Sequence, residues 1–394
     1  MKKSISILGS TGSIGLNSLK IINKKKKLFD INILFANKNY HLICSQIKQL
    51  KPKIFVINDL NIFNKVKKRF KKKKILILNK INPKKNYFQK SDITIVAIPG
   101  IAGLKPTIEL AKKSKKMLLA NKESIICGWN LINRVANKYK TKLVPIDSEH
   151  FSIMQILENQ NKENIKKVYL TASGGPFLDL EISKLKDVKP NEAIKHPKWK
   201  MGKKISIDSA SLMNKMFEMV EAQKLFSIDL NKIDIVIHPQ SLVHAIIEFK
   251  NGLHKFIYHK TTMLIPLANA IFDDKKDINN FVKTIINNKK DILFKNLNFQ
   301  KVDIKRFPVI KLKSRFNEYN STPIIINAIN EILVDQYLQK KIPFNSFYRY
   351  IMSVLNDRNY KKYAIKVPKN IDQIFLVDQW SRNIIYEKLK KKYV

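Results

Sequence analysis

The segment Pro145-Ile146-Asp147-Ser148-Glu149-His150 puts two carboxylates two residues apart at the end of an apolar run. In extended backbone, residues i and i+2 point the same way. Asp147 and Glu149 can then share one oxygen-donor site, with Ser148 turned elsewhere and available to a substrate. Two such carboxylates repel unless a cation sits between them, and hard oxygen donors suit Mg²⁺ or Mn²⁺. The same residues also suit the first turn of a helix, and the FSIMQIL that follows reads as helical; the two readings are compatible. A third carboxylate, Glu218, follows Asn214 and Lys215 at helical spacing. The three would share one face beside Met213, Met216, Phe217 and Met219. Such a face can line a polar pocket, and it can equally be the wet side of an ordinary amphipathic helix.

Anion-binding chemistry is available in two further places. Thr171-Ala172-Ser173-Gly174-Gly175-Pro176 follows a strand-like run. A Ser with consecutive glycines exposes backbone N–H groups that can nest an anion, and Ser173, Ser209, Asn214 and Lys215 together could hold a phosphate. Gly9, Gly12 and Gly15 follow the apolar Ile5–Leu8 and open a helical stretch, a GxxGxxG variant of the dinucleotide fingerprint. About 20 residues on, an NAD site would carry Asp or Glu; here the run ends Ala36-Asn37-Lys38-Asn39. With no carboxylate and with the charge of Lys38, the pattern favours a 2′-phosphate, hence NADP. Lys122, after another apolar run, can hydrogen-bond a substrate oxyanion. His196-Pro197-Lys198-Trp199-Lys200-Met201-Gly202 reads as a mobile flap. His238 and His244 flank a strand-rich segment.

Parallel β-α units must position these groups. Apolar runs at Ser4–Leu8, Ile31–Ala36, Ile54–Ile57, Ile75–Leu78, Ile93–Ile98, Met117–Ala120 and Lys142–Ile146 are separated by amphipathic stretches. This predicts an α/β fold whose residues 1–146 form a Rossmann-like, doubly wound sheet. A central α/β catalytic domain follows at 147–272, with strands at Lys167–Thr171, Ile233–Ile237 and Ala245–Phe249. Residues 273–299, rich in Asp, Asn and Lys, read as a linker. Residues 300–394 read as a C-terminal helical bundle, with helices at Pro323–Leu338 and Phe347–Leu355.

The chain has 394 residues, and 75 Lys and Arg against 31 Asp and Glu give a formal net charge of +44. That balance raises nucleic-acid binding. Only seven of the basic residues are Arg, the side chain favoured for base and bidentate phosphate readout. The Lys residues are spread along the whole chain. A composition biased toward Lys, Asn and Ile accounts for this, with weak, salt-sensitive sticking to nucleic acid but no specific recognition. Cys44 and Cys127 cannot build a disulfide framework, which places the chain in a reducing compartment, the cytoplasm. No apolar run of about 18 residues predicts a membrane span, and the N-terminus lacks the pattern of a signal peptide.

Taken in order, GSTGSIG, ANKES, PIDSEH, ASGGPF, HPKWKMGKKISIDSA, MNKMFE and HPQSLVHA resemble the 1-deoxy-D-xylulose 5-phosphate reductoisomerases of the non-mevalonate isoprenoid pathway. The resemblance runs from about residue 4 to Asn330-Glu331. It implies a homodimeric enzyme that uses NADPH and Mg²⁺ or Mn²⁺ to convert 1-deoxy-D-xylulose 5-phosphate, a small phosphorylated sugar, to 2-C-methyl-D-erythritol 4-phosphate. It implies that Asp147, Glu149 and Glu218 ligate the metal. Lys122, Glu149, His196, Trp199 and His244 match catalytic or lid positions. Lys122, Ser148, Glu149, Ser173, His196, Ser209, Asn214, Lys215 and Glu218 match substrate positions. Thr11, Gly12, Ser13, Ile14, Asn37, Lys38, Asn39, Asn121, Glu123, Gly202 and Met263 match cofactor contacts. The chain departs from the family at Asn37 and Ala172, where Gly is frequent, and at Leu264-Ile265-Pro266, where Arg-Thr-Pro is common. A simple NADP-dependent dehydrogenase of a phosphorylated small molecule is the alternative, and it would have no use for the carboxylate trio.

Overall fold

The computed structural model describes residues 2–199, 201–273, 277–286 and 296–391. The chain packs as two compact units. The first comprises Met1–Ser124, Trp129–Phe151 and Thr262–Asp291; the second comprises Ile125–Gly128, Ser152–Thr261 and Ile292–Val394.

Seven strands form the sheet of the first unit: β1 (Lys3–Leu8), β2 (Phe29–Ala36), β3 (Ile54–Ile57), β4 (Leu76–Leu78), β5 (Ser91–Val96), β6 (Ser114–Leu119) and β7 (Lys142–Pro145). Their order is β4-β3-β2-β1-β5-β6-β7, and every pairing is parallel. Nearly continuous Ile, Leu, Val and Phe runs are what a sheet covered on both faces requires: Ile5, Ile7, Leu8, Leu34, Phe55, Ile95 and Leu118 are fully buried. The order reverses between β1 and β5. That is the switch point at which open α/β sheets leave a crevice beyond the carboxyl ends of their strands. The doubly wound sheet predicted from the seven apolar runs is present, each run within a few residues of its strand.

The second unit is built on a five-stranded mixed sheet of β8 (Ile165–Ala172), β9 (Ile233–Ile237), β10 (Val243–Phe249), β11 (His254–Tyr258) and β12 (Gln300–Lys301), in the order β11-β10-β8-β9-β12. β8 and β9 run parallel, joined by a crossover that contains the helices Lys203–Ala210 and Met213–Phe226. The C-terminal helices Thr322–Leu338, Phe347–Leu355 and Ile371–Lys390 pack in this same unit. Asn330 Nδ2 donates to the buried Asp208 Oδ1 at 2.7 Å, which fastens the helix Thr322–Leu338 to the crossover. Arg306 Nη1 donates to the carbonyls of Phe177 and Leu180 at 2.6 and 2.5 Å.

Part of the stretch read as a linker is helical. Ile278–Ile286 forms a helix, and Phe281 meets Phe272 edge-on at 5.3 Å, so these residues pack with the first unit. The rest of that stretch between 274 and 276 and between 287 and 295 lies outside the described residues. Among the described residues, no helix is long and apolar enough to cross a membrane.

Candidate active site

In the first unit the glycine loop leaves β1 and enters the helix Ser13–Lys24. Gly9 adopts φ +89°, and a Cβ there would lie 2.4 Å from the Ala97 carbonyl oxygen, so the fold itself demands glycine. Gly12 is different. Its φ is −82°, and an added Cβ would meet nothing nearer than 3.4 Å, so the turn would accept a side chain. What Gly12 leaves bare is the exposed N-terminus of a helix with no acidic residue in its first turn. A pyrophosphate fits that surface, which is electropositive by its N–H groups and dipole. Thr11, Ser13 and Ile14 line the same turn. Ser10 and Gln46 brace it from below: Ser10 Oγ donates to Gln46 Oε1 at 2.7 Å, and Gln46 Nε2 donates back to the Ser10 carbonyl at 2.9 Å. At the end of β2, Asn37, Lys38 and Asn39 are exposed. Asn39 also caps the next helix, accepting from the Leu42 amide.

Asn121 begins the helix Lys122–Tyr139. It accepts from the Ser124 amide at 2.5 Å and donates to the carbonyls of Ile98 and, at 3.0 Å, Gly100. Its side chain therefore ties the loop after β5 to the helix start, which fixes Lys122 and Glu123 at the carboxyl edge of the sheet. Both are buried, at 6% exposure each. Lys122 Nζ lies 3.7 Å from Asp147 Oδ2.

The segment at Asp147 is not extended. Ser148–Ile156 is helical, and Asp147 accepts from the Glu149 amide at 3.2 Å, as a residue capping a helix does. Asp147 Oδ1 also meets His150 Nδ1 at 2.9 Å. The helix-start reading thus prevails over the i, i+2 argument, yet the two carboxylates still offer oxygens within 4.8 Å of each other. Ser148 does not turn away from them: its Oγ donates to Glu149 Oε2 at 2.5 Å. Met263 precedes the helix Leu264–Phe272, also in the first unit.

In the second unit, Leu212 takes the left-handed conformation at φ +65° between the two crossover helices. A non-glycine residue there costs about 1 kcal/mol or more, and a fully packed Leu212 side chain, 1% exposed, offsets it. This turn starts the helix that carries Asn214, Lys215 and Glu218 on one face. Asn214 Nδ2 donates to Glu218 Oε1 at 2.5 Å, and Lys215 Nζ lies 2.6 Å from Glu218 Oε2. Both carboxylate oxygens are thereby oriented, one by the Asn214 amide and one by the Lys215 ammonium.

Ser173 lies beyond β8. Gly175, at φ +69°, brings this loop against the end of the other crossover helix, where a Cβ would sit 3.0 Å from Ala210 Cα and 3.3 Å from the Ser209 carbonyl. Ser173 and Ser209 thus belong to adjoining turns. His196 sets the polarity of Ser173. Its Nδ1 accepts from the amides of Lys198 and Trp199 at 3.1 and 2.9 Å, so the proton is assigned to Nε2. Nε2–H then donates to Ser173 Oγ at 3.0 Å, and the Gly175 amide donates to the same oxygen at 3.1 Å. With two donors already on its oxygen, the Ser173 hydroxyl has its own proton left to give. Burial, aided by the charge of Lys215, lowers the His196 pKa from 6.5 to about 4, which agrees with a neutral ring.

Trp199 meets His244 edge-on at 6.1 Å. His244 in turn stacks on His259 at 4.1 Å. Sequence reasoning passed over His259, which belongs to no motif and lies outside the recognisable spacing. His238 is structural: it donates from Nδ1 to the Asn298 carbonyl and accepts at Nε2 from the amides of Leu242 and Val243. Gly202 heads the helix Lys203–Ala210 in this unit, apart in the chain from the other expected cofactor positions.

Comparison with known proteins agrees along the whole chain. Family models match in three stretches: 1-deoxy-D-xylulose 5-phosphate reductoisomerase over residues 5–128, and two C-terminal domains of the same enzyme over residues 143–226 and 260–384. A 1-deoxy-D-xylulose 5-phosphate reductoisomerase of Pelagibacter ubique is 43% identical over 380 residues, covering 94% of this chain and 96% of the relative. That of a Wolbachia from Drosophila simulans is 36% identical, covering 100% and 99%. A solved DOX-P reductoisomerase in complex with NADPH, fosmidomycin and magnesium superimposes with a TM-score of 0.89 at 29% identity, covering 98% of each chain. The Zymomonas mobilis enzyme in complex with NADPH gives 0.86 at 29% identity, over 100% of both. The chain belongs to the 1-deoxy-D-xylulose 5-phosphate reductoisomerase family.

Proposed function

We propose that this chain converts 1-deoxy-D-xylulose 5-phosphate to 2-C-methyl-D-erythritol 4-phosphate, using NADPH and a divalent cation. The observation that carries the reading is the family match over 94% of this chain, together with the three carboxylates Asp147, Glu149 and Glu218, whose oxygens lie within 4.8 Å of one another. These three would hold the cation, and their hard oxygen donors suit Mg²⁺ or Mn²⁺. The cation when bound supplies charge to substrate oxygens, and NADPH supplies the hydride.

The chain's own residues do the rest. Lys122, buried beside Asp147, donates a hydrogen bond to a substrate oxygen that gains charge during the rearrangement. Ser173 donates its remaining proton to the phosphate, since its oxygen is already occupied by His196 and Gly175. Ser209, Asn214 and Lys215 complete the phosphate contacts. Asn214 and Lys215 also grip Glu218, so the phosphate end and the cation end of the site are mechanically joined on one helix. His196, Trp199 and His244 hold the 196–202 flap over the substrate and keep water away from it. The bare turn at Gly12, with Thr11, Ser13 and Ile14, receives the pyrophosphate of NADPH, and Lys38 with Asn37 and Asn39 receives the 2′-phosphate. Asn121, Glu123, Gly202 and Met263 complete the cofactor contacts.

A homodimer in the cytoplasm is the natural setting. β11 is an edge strand; Phe256 on it is 47% exposed and Leu253 just before it 56%, a surface that a second copy could cover. Both cysteines are buried thiols, which suits a reducing compartment. The test is the loss of NADPH absorbance on adding the sugar phosphate with Mn²⁺ or Mg²⁺, and then excess chelator. Substrate-dependent oxidation that chelator abolishes supports the reading; oxidation indifferent to chelator points to a metal-free dehydrogenase.

A further inference from the structure

We infer that His259 is a positioning residue for the flap, acting as the fixed backing against which His244 receives Trp199. This rests on the reading of residues 196–202 as a substrate-covering flap. His259 is buried, at 6% exposure, just beyond the last residue of β11. Its Nδ1–H donates to the Lys260 carbonyl at 2.8 Å, and its own amide donates to the Leu242 carbonyl at 3.0 Å. The backbone is therefore tied to the residue that leads into β10, and the ring to the carbonyl of the residue that follows it. Its other nitrogen, Nε2, makes no hydrogen bond among the described residues.

What remains to the ring is its flat face, and that face lies on His244 at 4.1 Å and 24°. His244 is thus held by a planar neighbour, and Trp199 closes onto it edge-first. The line continues through the backbone: the Trp199 amide donates to His196, and His196 donates to Ser173. One row of rings and hydrogen bonds links the sheet, through His259, to the serine proposed to hold the phosphate. A loosened His244 would leave Trp199 without a seat, and His196 would lose an amide partner that fixes its tautomer.

The experiment compares wild type, His259→Ala and His259→Phe in a background where Trp129 and Trp380 are Phe, so that Trp199 alone reports. Its emission and acrylamide quenching are read without substrate, alongside steady-state kinetics. The expected result for His259→Ala is red-shifted, more quenchable emission and a KM for the sugar phosphate raised about tenfold, with the KM for NADPH unchanged. His259→Phe, which keeps a flat face but neither nitrogen, restores both. Unchanged Trp199 emission in His259→Ala would overturn the inference, and so would equal loss in the Ala and Phe variants. Failure of the family reading looks different: wild type would oxidise no NADPH, while the emission comparison would still answer.

Discussion

Lys215 Nζ lies 2.6 Å from Glu218 Oε2, with the two side chains only 9% and 2% exposed. A buried pair of this kind is costly to break from one side, because the survivor stays buried with its charge unmatched. Glu218→Gln keeps the shape and the Asn214 contact but removes the negative charge that faces the Lys215 ammonium. The variant is expected to lose about 3 kcal/mol of stability in phosphate-free buffer and to recover part of it when inorganic phosphate gives Lys215 a new partner. Turnover should fall by at least about a hundredfold even at saturating cation. Thermal denaturation with and without phosphate, run beside the kinetic assay, checks both. Near-normal turnover at high cation would remove Glu218 from the ligand set.

Asp147 has two jobs that a single substitution can separate. Its side chain caps the helix Ser148–Ile156 by accepting from the Glu149 amide, and it is also a proposed cation ligand. Asn caps helices about as well as Asp but contributes no charge to a hard cation. Asp147→Asn should therefore keep the helix cap and stay folded, giving up the 3.7 Å attraction to Lys122, while Mn²⁺ affinity drops about a hundredfold or more. Calorimetric titration of the folded variant with Mn²⁺ is the deciding measurement; unaltered affinity would exclude Asp147 as a ligand.

The glycine loop allows the same separation of fold from function. Gly9→Ala would force a Cβ to 2.4 Å from the Ala97 carbonyl at a φ of +89°, and a loss of about 2–4 kcal/mol is expected. Gly12→Ala meets no such obstacle, so the melting temperature should hardly move. The added methyl would nevertheless occupy the space a pyrophosphate needs, and NADPH affinity should fall about tenfold. Fluorescence titration with NADPH tests this. Wild-type affinity in Gly12→Ala would mean that the cofactor does not approach that turn.

Most of this architecture was legible because buried parallel strands write themselves as short apolar runs. β11 escaped because it is an edge: His254, Lys255 and Phe256 are all exposed, and neither burial nor alternation marks them. The helix at Ile278–Ile286 escaped for a different reason. Ile278, Phe281, Val282 and Ile285 have helical spacing, but the surrounding Asn and Lys suggested a linker by composition alone. Asp147 and Glu149 were found as a pair through the wrong geometry, since a helix start also brings i and i+2 carboxylates near each other. His259 gave no signal, because a stacked ring is a property of tertiary packing and its partner His244 lies across a hairpin.

His196 offers a test in pH. Its pKa falls from 6.5 in the unfolded chain to about 4 in the folded one, chiefly through burial, with Lys215 adding to the effect. The folded state therefore disfavours the proton. The stability contributed by the neutral ring is complete above 6.5 and is lost as pH falls toward 4. Protonation would fall on Nδ1, which already accepts from the amides of Lys198 and Trp199, so those two bonds must break when the proton arrives. Trp199 emission in the single-tryptophan background should stay constant from neutral pH down through 6.5 and change only near pH 4. Replacing His196 with Gln should abolish that transition. A Trp199 transition centred near 6.5 would show that the ring titrates freely, and Ser173 would then lack the fixed donor that orients its hydroxyl in the proposed phosphate site.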